Sequence, residues 1–160
     1  MQEKCKNVWL AVSGMVINEQ GEWLIVKKKY GGLKGKWSFP AGFVNCDETV
    51  DEAVIREIKE ETGIDIEVSG LIGIRSGVLS IGCSDNMLIF LCKPKNNEIV
   101  TQTEELYEAR FMHPNQIMED ENRSALLEQF RYFDTKNIKE VIDGINPGNH
   151  FGYLSYKLFV

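Results

Sequence analysis

The stretch "ETVDEAVIREIKEETGI", residues 48–64, decides how the rest of the chain is read. Apolar residues recur in it at helical spacing and Gly63 supplies a stop, so a helix is predicted from Glu48 to Thr62. On a wheel turning about 100° per residue from Glu57, Val50 falls near ~20°, Ala53 near ~320°, Val54 near ~60°, Glu61 near ~40° and Glu60 near ~300°. The stripe that begins as valine and alanine ends as glutamate, while Asp51, Glu52 and Lys59 lie opposite. Carboxylates at i, i+3 and i+4 repel, and at the negative end of the helix dipole each costs about 0.3–1 kcal/mol. A solvated acidic face is the ordinary explanation of such a cluster, but here Val50 and Val54 share the face. A divalent cation removes both objections by turning repelling carboxylates into ligands. Mg²⁺ is the expected ion, with Mn²⁺ as its substitute, because it takes hard oxygen ligands and is shared with substrate phosphates.

Upstream of the helix, residues 8–17 ("VWLAVSGMVI") and 23–29 ("WLIVKKK") read as strands joined by the turn signal "NEQGE", a predicted hairpin. "YGGLKGK" (30–36) is a glycine- and lysine-rich loop, and Pro40 keeps "WSFPAGFV" (37–44) extended. Downstream, 64–82 and 87–94 read as strands around a polar turn at Ser84–Asn86, 104–113 as a strand, and "PNQIME" as a short helix. Residues 121–142 suggest two helices broken near Asp134–Thr135, and the β-prone tail "FGYLSYKLFV" reads as an extra strand, an interface or a cover for a sheet edge. The expected architecture is one α/β domain, residues 1–160, with a mixed sheet.

Composition narrows the function. At 43% hydrophobic and 26% charged the chain has ordinary globular composition, with no run long enough to span a membrane. A net charge of −6 argues against generic nucleic-acid binding, though a bound metal reverses the local field for a phosphate-bearing small molecule. Cys5, Cys46, Cys83 and Cys92 lack CxxC spacing, and "MQEKCKNVWLAV" does not read as a signal peptide, so reduced thiols in a cytoplasmic protein are expected.

Gly42, Glu48, Arg56, Glu57, Ile58, Glu60, Glu61, Gly63 and Ile64 match the Nudix box, GX5EX7REUXEEXGU with U a bulky aliphatic, at all nine positions. "KGKWSFPAG" resembles the approach to that box and "EARFMHPNQI" the strand and short helix beyond it, so the resemblance to the Nudix hydrolases covers about residues 8–118. It implies a mixed β-sheet sandwiched between α-helices and metal-dependent hydrolysis of a nucleoside diphosphate linked to another group. By the same resemblance Glu57, Glu60 and Glu61 look like metal-binding carboxylates and the backbone near Ala41–Gly42 like a further ligand, the Ala41 carbonyl. Glu48 and Arg56 look like the pair that braces the box, and Gly42 and Gly63 like its turn glycines. Relatives often dimerise, so a homodimer is among the implied partners beside the small-molecule nucleotide.

Other candidates carry two readings each. Glu105 stands where many Nudix proteins place an acid that reaches the site, with Glu104 and Glu108 as neighbouring acids, against a strand-edge surface residue. Lys27 and Lys28 end a strand near the expected site, as phosphate contacts or as solvated edge lysines. Arg75 lies in an apolar strand, exposed on the alternating face or meeting a substrate phosphate or ribose. Trp37 reads as a packing residue.

Arg75, Ser84–Asp85, Lys93–Pro94, Glu98–Ile99, Gln102, Glu105 and Ala109 resemble a branch acting on ADP-ribose or reduced dinucleotides. The SQPWPFP-like sequence of dedicated NADH diphosphatases is missing, and Leu79 stands where the usual ADP-ribose enzymes carry proline. The reading leans to ADP-ribose, dinucleotide or nucleotide-sugar substrates. A house-cleaning nucleoside triphosphate diphosphohydrolase and a nucleotide-sensing Nudix module that does not hydrolyse are the alternatives.

Overall fold

The computed structural model describes residues 7–144 and 157–159. Its elements are β1 (Val8–Val16), β2 (Trp23–Lys28), β3 (Trp37–Ser38), β4 (Ala41–Phe43), α1 (Val50–Thr62), β5 (Ile66–Leu79) and β6 (Cys83–Pro94), then β7 (Leu106–Met112), α2 (Pro114–Glu119), α3 (Ala125–Gln129), β8 (Val141–Ile142) and β9 (Leu158–Phe159). Four strands form a mixed sheet in the order β4-β1-β6-β5, in which β1 and β6 run parallel and the other neighbours antiparallel. A second, antiparallel sheet has the order β3-β2-β7.

Both faces of the mixed sheet are covered, which explains why β1 reads as a nearly continuous apolar run. Ala53, Val54 and Ile58 of α1 pack with Val12, Val16, Phe90 and Cys92 on one face. On the other, Met15 and Leu91 meet Trp23, Ile25, Trp37 and Phe39, together with Ile117 of α2 and Leu127 of α3. Burying a side chain such as Ile58 completely contributes roughly 1.5–3 kcal/mol, and this one has no exposed surface. The sandwich of sheet between helices is the architecture that the box implied.

α1 begins two residues later than predicted because Thr49 caps it: its backbone N–H donates to the Glu52 carboxylate at 2.8 Å, as in a capping box. It ends at Gly63, in the left-handed region at φ 73°, whose N–H donates to the Lys59 carbonyl at 2.9 Å.

Three expectations are corrected. The turn at Asn18–Glu22 is real, but β1 and β2 do not form a hairpin ladder: they touch through a single bridge, Ile17 to Trp23, and then part into different sheets. β1 lies between β4 and β6, and β2 between β3 and β7, so neither has an edge free for the other. The β5–β6 reversal falls at Ser80–Gly82, and Ser84–Asn86 are strand residues paired with Val8–Leu10. The two helices expected over 121–142 reduce to α3 and one 3₁₀ turn at Phe130–Tyr132. Past Asp134 the chain makes a turn, with the Asn137 N–H donating to the Asp134 carbonyl at 3.3 Å, and Lys139 then exchanges both backbone hydrogen bonds with Leu71 of β5 (2.8 and 2.9 Å).

Of the tail, residues 151–156 and 160 lie outside the described residues. Leu158 and Phe159 pair with β8, and Phe159 packs edge-on against Phe90 with ring centroids 5.5 Å apart. Lys157 reaches the start of α1, donating to Asp51 at 2.7 Å and to the Thr49 hydroxyl at 3.1 Å.

Candidate active site

β4, α1 and the end of β2 meet beside the mixed sheet, and the box residues converge there. The buried arc of α1 runs through Ala53, Val54, Ile58, Glu61 and Thr62, so the wheel's inward face carries one glutamate into the interior. Glu61 is 3% exposed, Glu57 lies at the margin, and Glu60 opens to solvent. The three acids sit in graded environments rather than as one equivalent patch.

Arg56 organises the outer part. Its Nε and Nη2 donate to the two Glu48 oxygens at 2.8 and 2.6 Å, a bidentate pair, and Nη2 also donates to the Phe43 carbonyl at 3.0 Å. Nη1 donates to Glu57 at 2.7 Å and Glu60 at 3.1 Å. The Arg56 hydrogen bonds hold the Glu48 carboxyl below its ordinary range. Repulsion along the helix is therefore partly answered by the chain's own cation, which corrects the expectation that these acids stand uncompensated.

Gly42 faces Glu57 so closely that a Cβ there would overlap the glutamate's carboxyl carbon and both its oxygens. The glycine leaves the space in which that carboxylate lies. Burial pushes the Glu57 carboxyl above its ordinary range, against the pull of Arg56.

Inside, Glu61 is paired with Lys28, whose ammonium also donates to the Ala41 carbonyl at 3.3 Å. The second Glu61 oxygen accepts from the Ala41 N–H at 3.1 Å. Burial raises the Glu61 carboxyl in spite of Lys28. Lys28 is 8% exposed, so the solvated-edge reading of this lysine is wrong: the end of β2 is covered, and the charge is buried with its partner.

Glu105 lies in the turn before β7 and its carboxylate accepts from the Tyr30 hydroxyl at 2.9 Å. Burial, followed by the Glu105 hydrogen bond and the charges of Glu105, Glu61 and Glu57, pushes that hydroxyl up to about 12. Tyr30 thus holds the Glu105 carboxylate and lies within the field of the box glutamates. In the sequence Tyr30 is simply the first residue of the glycine- and lysine-rich loop, and its place two residues past the end of β2 is the signal that could have found it.

Arg75 is not brought to this cluster. The sheet register runs Phe43, Ala11, Met87, Arg75 across four strands, about 14 Å at the usual strand spacing. Its guanidinium pairs with Asp85 at 2.7 Å. Trp37 packs as expected, 1% exposed, with its indole N–H donating to Asp120 at 2.9 Å. A cavity lined by Asn18, Lys93, Asn96 and Ile138 shares no residue with the carboxylates.

Among the described residues no three acidic, histidine or cysteine side chains form a preassembled metal cluster. Arg56 and Lys28 draw the glutamates toward themselves in two groups. The donor set still suits a hard cation: buried or half-buried carboxylates of raised proton affinity, the backbone carbonyl of Ala41 held by Lys28 next to Glu61, and a glycine whose missing side chain lets the Glu57 carboxylate come in. Among the described residues no helix is long and apolar enough to cross a membrane. Cys83 and Cys92 are buried free thiols and Cys46 is an exposed one.

Known proteins resemble this chain in sequence and fold. "Nudix hydrolase 8" of Arabidopsis thaliana is 34% identical over 107 residues, covering 64% of this chain and 29% of its own length. "ADP-ribose pyrophosphatase" of Methanocaldococcus jannaschii is 48% identical over 67 residues, covering 42% of this chain and 39% of its own. The chain thus spans well under half the length of either relative. Among solved structures, the MutT protein of Methanosarcina mazei Go1 superposes with a TM-score of 0.69 at 27% identity, covering 86% of this chain and 99% of that one. The family model for the NUDIX domain matches residues 8–133, from the first strand of the mixed sheet past α3, and the chain belongs to the Nudix family.

Proposed function

We propose that this chain is a Mg²⁺-dependent hydrolase of the diphosphate bond in a nucleoside diphosphate linked to another group, with Mn²⁺ able to substitute. The observation that carries the reading is the Glu57 carboxylate seated against Gly42, on the strand whose neighbouring residue Ala41 binds Glu61 through its N–H. Glu57, Glu60, Glu61 and the Ala41 carbonyl would hold the ion. Bound there, it would neutralise diphosphate charge and make water a better nucleophile.

The chain's own residues supply the rest. Arg56, fixed by Glu48, keeps the helix end and the β4 loop in register. The proton of the attacking water goes to a carboxylate, which we assign to Glu105. Among the described residues its carboxylate accepts from Tyr30 alone, whereas Glu57, Glu60 and Glu61 are each engaged by Arg56 or Lys28. Arg75, on the same face of the mixed sheet as Ala11 and Met87, is proposed to meet a distal part of the substrate.

The substrate reading leans to ADP-ribose, a dinucleotide or a nucleotide sugar, supported by the downstream pattern and by the relative named as an ADP-ribose pyrophosphatase. In this reading residues 1–160 act as one cytoplasmic domain, and a homodimer is its assembly, which sedimentation of the purified chain reads directly.

The experiment is turnover of ADP-ribose, NADH, nucleotide sugars, dinucleoside polyphosphates and dNTPs with Mg²⁺ or Mn²⁺, in wild type and Glu57→Gln. We expect hydrolysis of a nucleoside-diphosphate compound and a loss of orders of magnitude in the variant. Binding of a nucleotide without turnover would favour a sensor, and a mild loss in Glu57→Gln would remove its assigned role.

A further inference from the structure

Lys28 is a buried cation at the end of a strand, and a buried ammonium persists only where oxygens replace its water. Two do so: a Glu61 carboxylate oxygen and the Ala41 carbonyl. The other Glu61 oxygen is tied to the Ala41 N–H at 3.1 Å, so residue 41 presents its N–H to one side of the carboxylate while its carbonyl turns to the ammonium. Glu61 and Ala41 thus aim one oxygen each at a single point, and the point is filled by the lysine.

These are two of the oxygens to which the proposed function assigns the divalent ion. A metal holding both needs contacts near 2 Å, which an ammonium donating to the same oxygens blocks sterically and opposes by charge. We propose that Lys28 is a resident counter-cation, which holds the Glu61 and Ala41 oxygens in place and must be displaced when a divalent cation binds. The proposal rests on the metal reading of the site and adds to it a competitor encoded in the chain.

The residue type fits the task. A carboxylate 3% exposed would be costly to keep ionised without a partner, so some cation must stand there during folding. Lysine offers a compact charge on a flexible stem, and it leaves a site more readily than an arginine locked by a bidentate fork. The same helix shows the contrast, since Arg56 makes such a fork with Glu48. One cation is built to stay and the other can move. Sequence alone does not expose the pairing, because the partners stand 33 positions apart.

The test is Mn²⁺ affinity, followed by the electron-spin signal of free Mn²⁺ and by calorimetry, in wild type, Lys28→Met, Lys28→Gln and Lys59→Met. Lys59 is a control of equal charge, bound to Gly63 and Asp65 on the solvent side of α1. Removing a competing charge at this distance should tighten Mn²⁺ binding by about tenfold or more in the Lys28 variants, with Lys59→Met within about twofold of wild type. A merely structural lysine would give the opposite, weaker binding. In wild type, the ¹⁵N-labelled Lys28 ammonium should be protected from solvent exchange without metal and lose that protection as Mg²⁺ is added. That measurement needs no variant to fold. If wild type binds metal while the Lys28 variants bind it no tighter, or if the ammonium stays protected with Mg²⁺ bound, the counter-cation proposal is overturned. If neither wild type nor any variant binds Mn²⁺, the metal reading falls first and takes this proposal with it.

Discussion

Replacing Arg56 tests whether the chain's own charges hold the box together before any ion arrives. The guanidinium makes five hydrogen bonds: two to Glu48, and one each to Phe43, Glu57 and Glu60. Charge-assisted bonds contribute about 1.5–3 kcal/mol each, but a simple sum overstates the case. The Arg56 side chain is 26% exposed and that of Glu60 59%, so screening removes most of the outer contact. Breaking a buried pair by removing one partner costs about 3–5 kcal/mol, and partial exposure places Arg56→Ala near the lower end, about 3 kcal/mol. For a chain of this size that is a fall in melting temperature of about 6–12 °C. Arg56→Lys, which cannot span Glu48 and Glu57 together, should lose about half as much. The assay is thermal unfolding by circular dichroism in chelator, with Glu48→Gln and the double variant closing the cycle. Because the bidentate pair carries most of the effect, the double variant should melt close to Arg56→Ala. Additive losses, or an Arg56→Ala protein melting within about 2 °C of wild type, would refute the reasoning.

Gly42→Ala should cut Mg²⁺-dependent turnover by more than about tenfold while moving the melting temperature little, because the added Cβ displaces the Glu57 carboxylate rather than core packing; equal turnover by steady-state kinetics would contradict the contact. Tyr30→Phe removes the hydroxyl that donates to Glu105, so turnover should fall with the fold intact, and a retained pH–rate profile would remove Glu105 from the reaction. Lys157→Met should lower stability by about 1–3 kcal/mol, since Asp51 and Thr49 lose a charged donor. The Asp51–Lys157 contribution also has a pH window. Burial raises the Asp51 carboxyl, but the Lys157 and Thr49 hydrogen bonds outweigh it and hold it below the usual value, so its share is present above the unfolded value and is lost as pH falls through the folded one. Lys157 is raised despite burial, so its share is present below the ordinary lysine value and lost as pH rises through the folded one. Melting curves of wild type and Lys157→Met should therefore converge at both acid and alkaline extremes, and a constant gap would contradict the pair.

What could be read ahead of the structure was whatever is local in the chain. α1 was legible because its stripe, its cap and its glycine stop all lie within 16 residues, Thr49 to Ile64. The β1–β2 hairpin was misread because the turn signal at Asn18–Glu22 is local, whereas the choice of β6 over β2 as the partner of β1 depends on burying both faces of the sheet. Leu126, Leu127, Phe130 and Phe133 do have helical spacing, yet they pack onto Phe39, Met87 and Trp37 from a short helix and a turn, and β5 then captures Lys139. In the site, the spacing that gathers Glu57, Glu60 and Glu61 was visible, but their different burial was not. That difference comes from Lys28 and Ala41 closing over Glu61, contacts made across the fold.

The parallel pairing of β1 with β6 sets an order of events as the chain is made. Val8 finds its partner in Ser84 and Val16 in Cys92, so β1 waits for a strand made about 76 residues after it. α1 is complete long before then, but the sheet face on which it packs includes Phe90 and Cys92. Such distant pairing carries a large loop-closure cost and slows folding. Until β6 is made, the apolar stripe of α1 has Val12, Val16 and Leu24 to meet but lacks Phe90 and Cys92, and a helix of this length depends on such packing. The basic partner of Glu61, Lys28 at the end of β2, is by then already in the chain, so the charge pair at the site can close as soon as the sheet that supports α1 is complete.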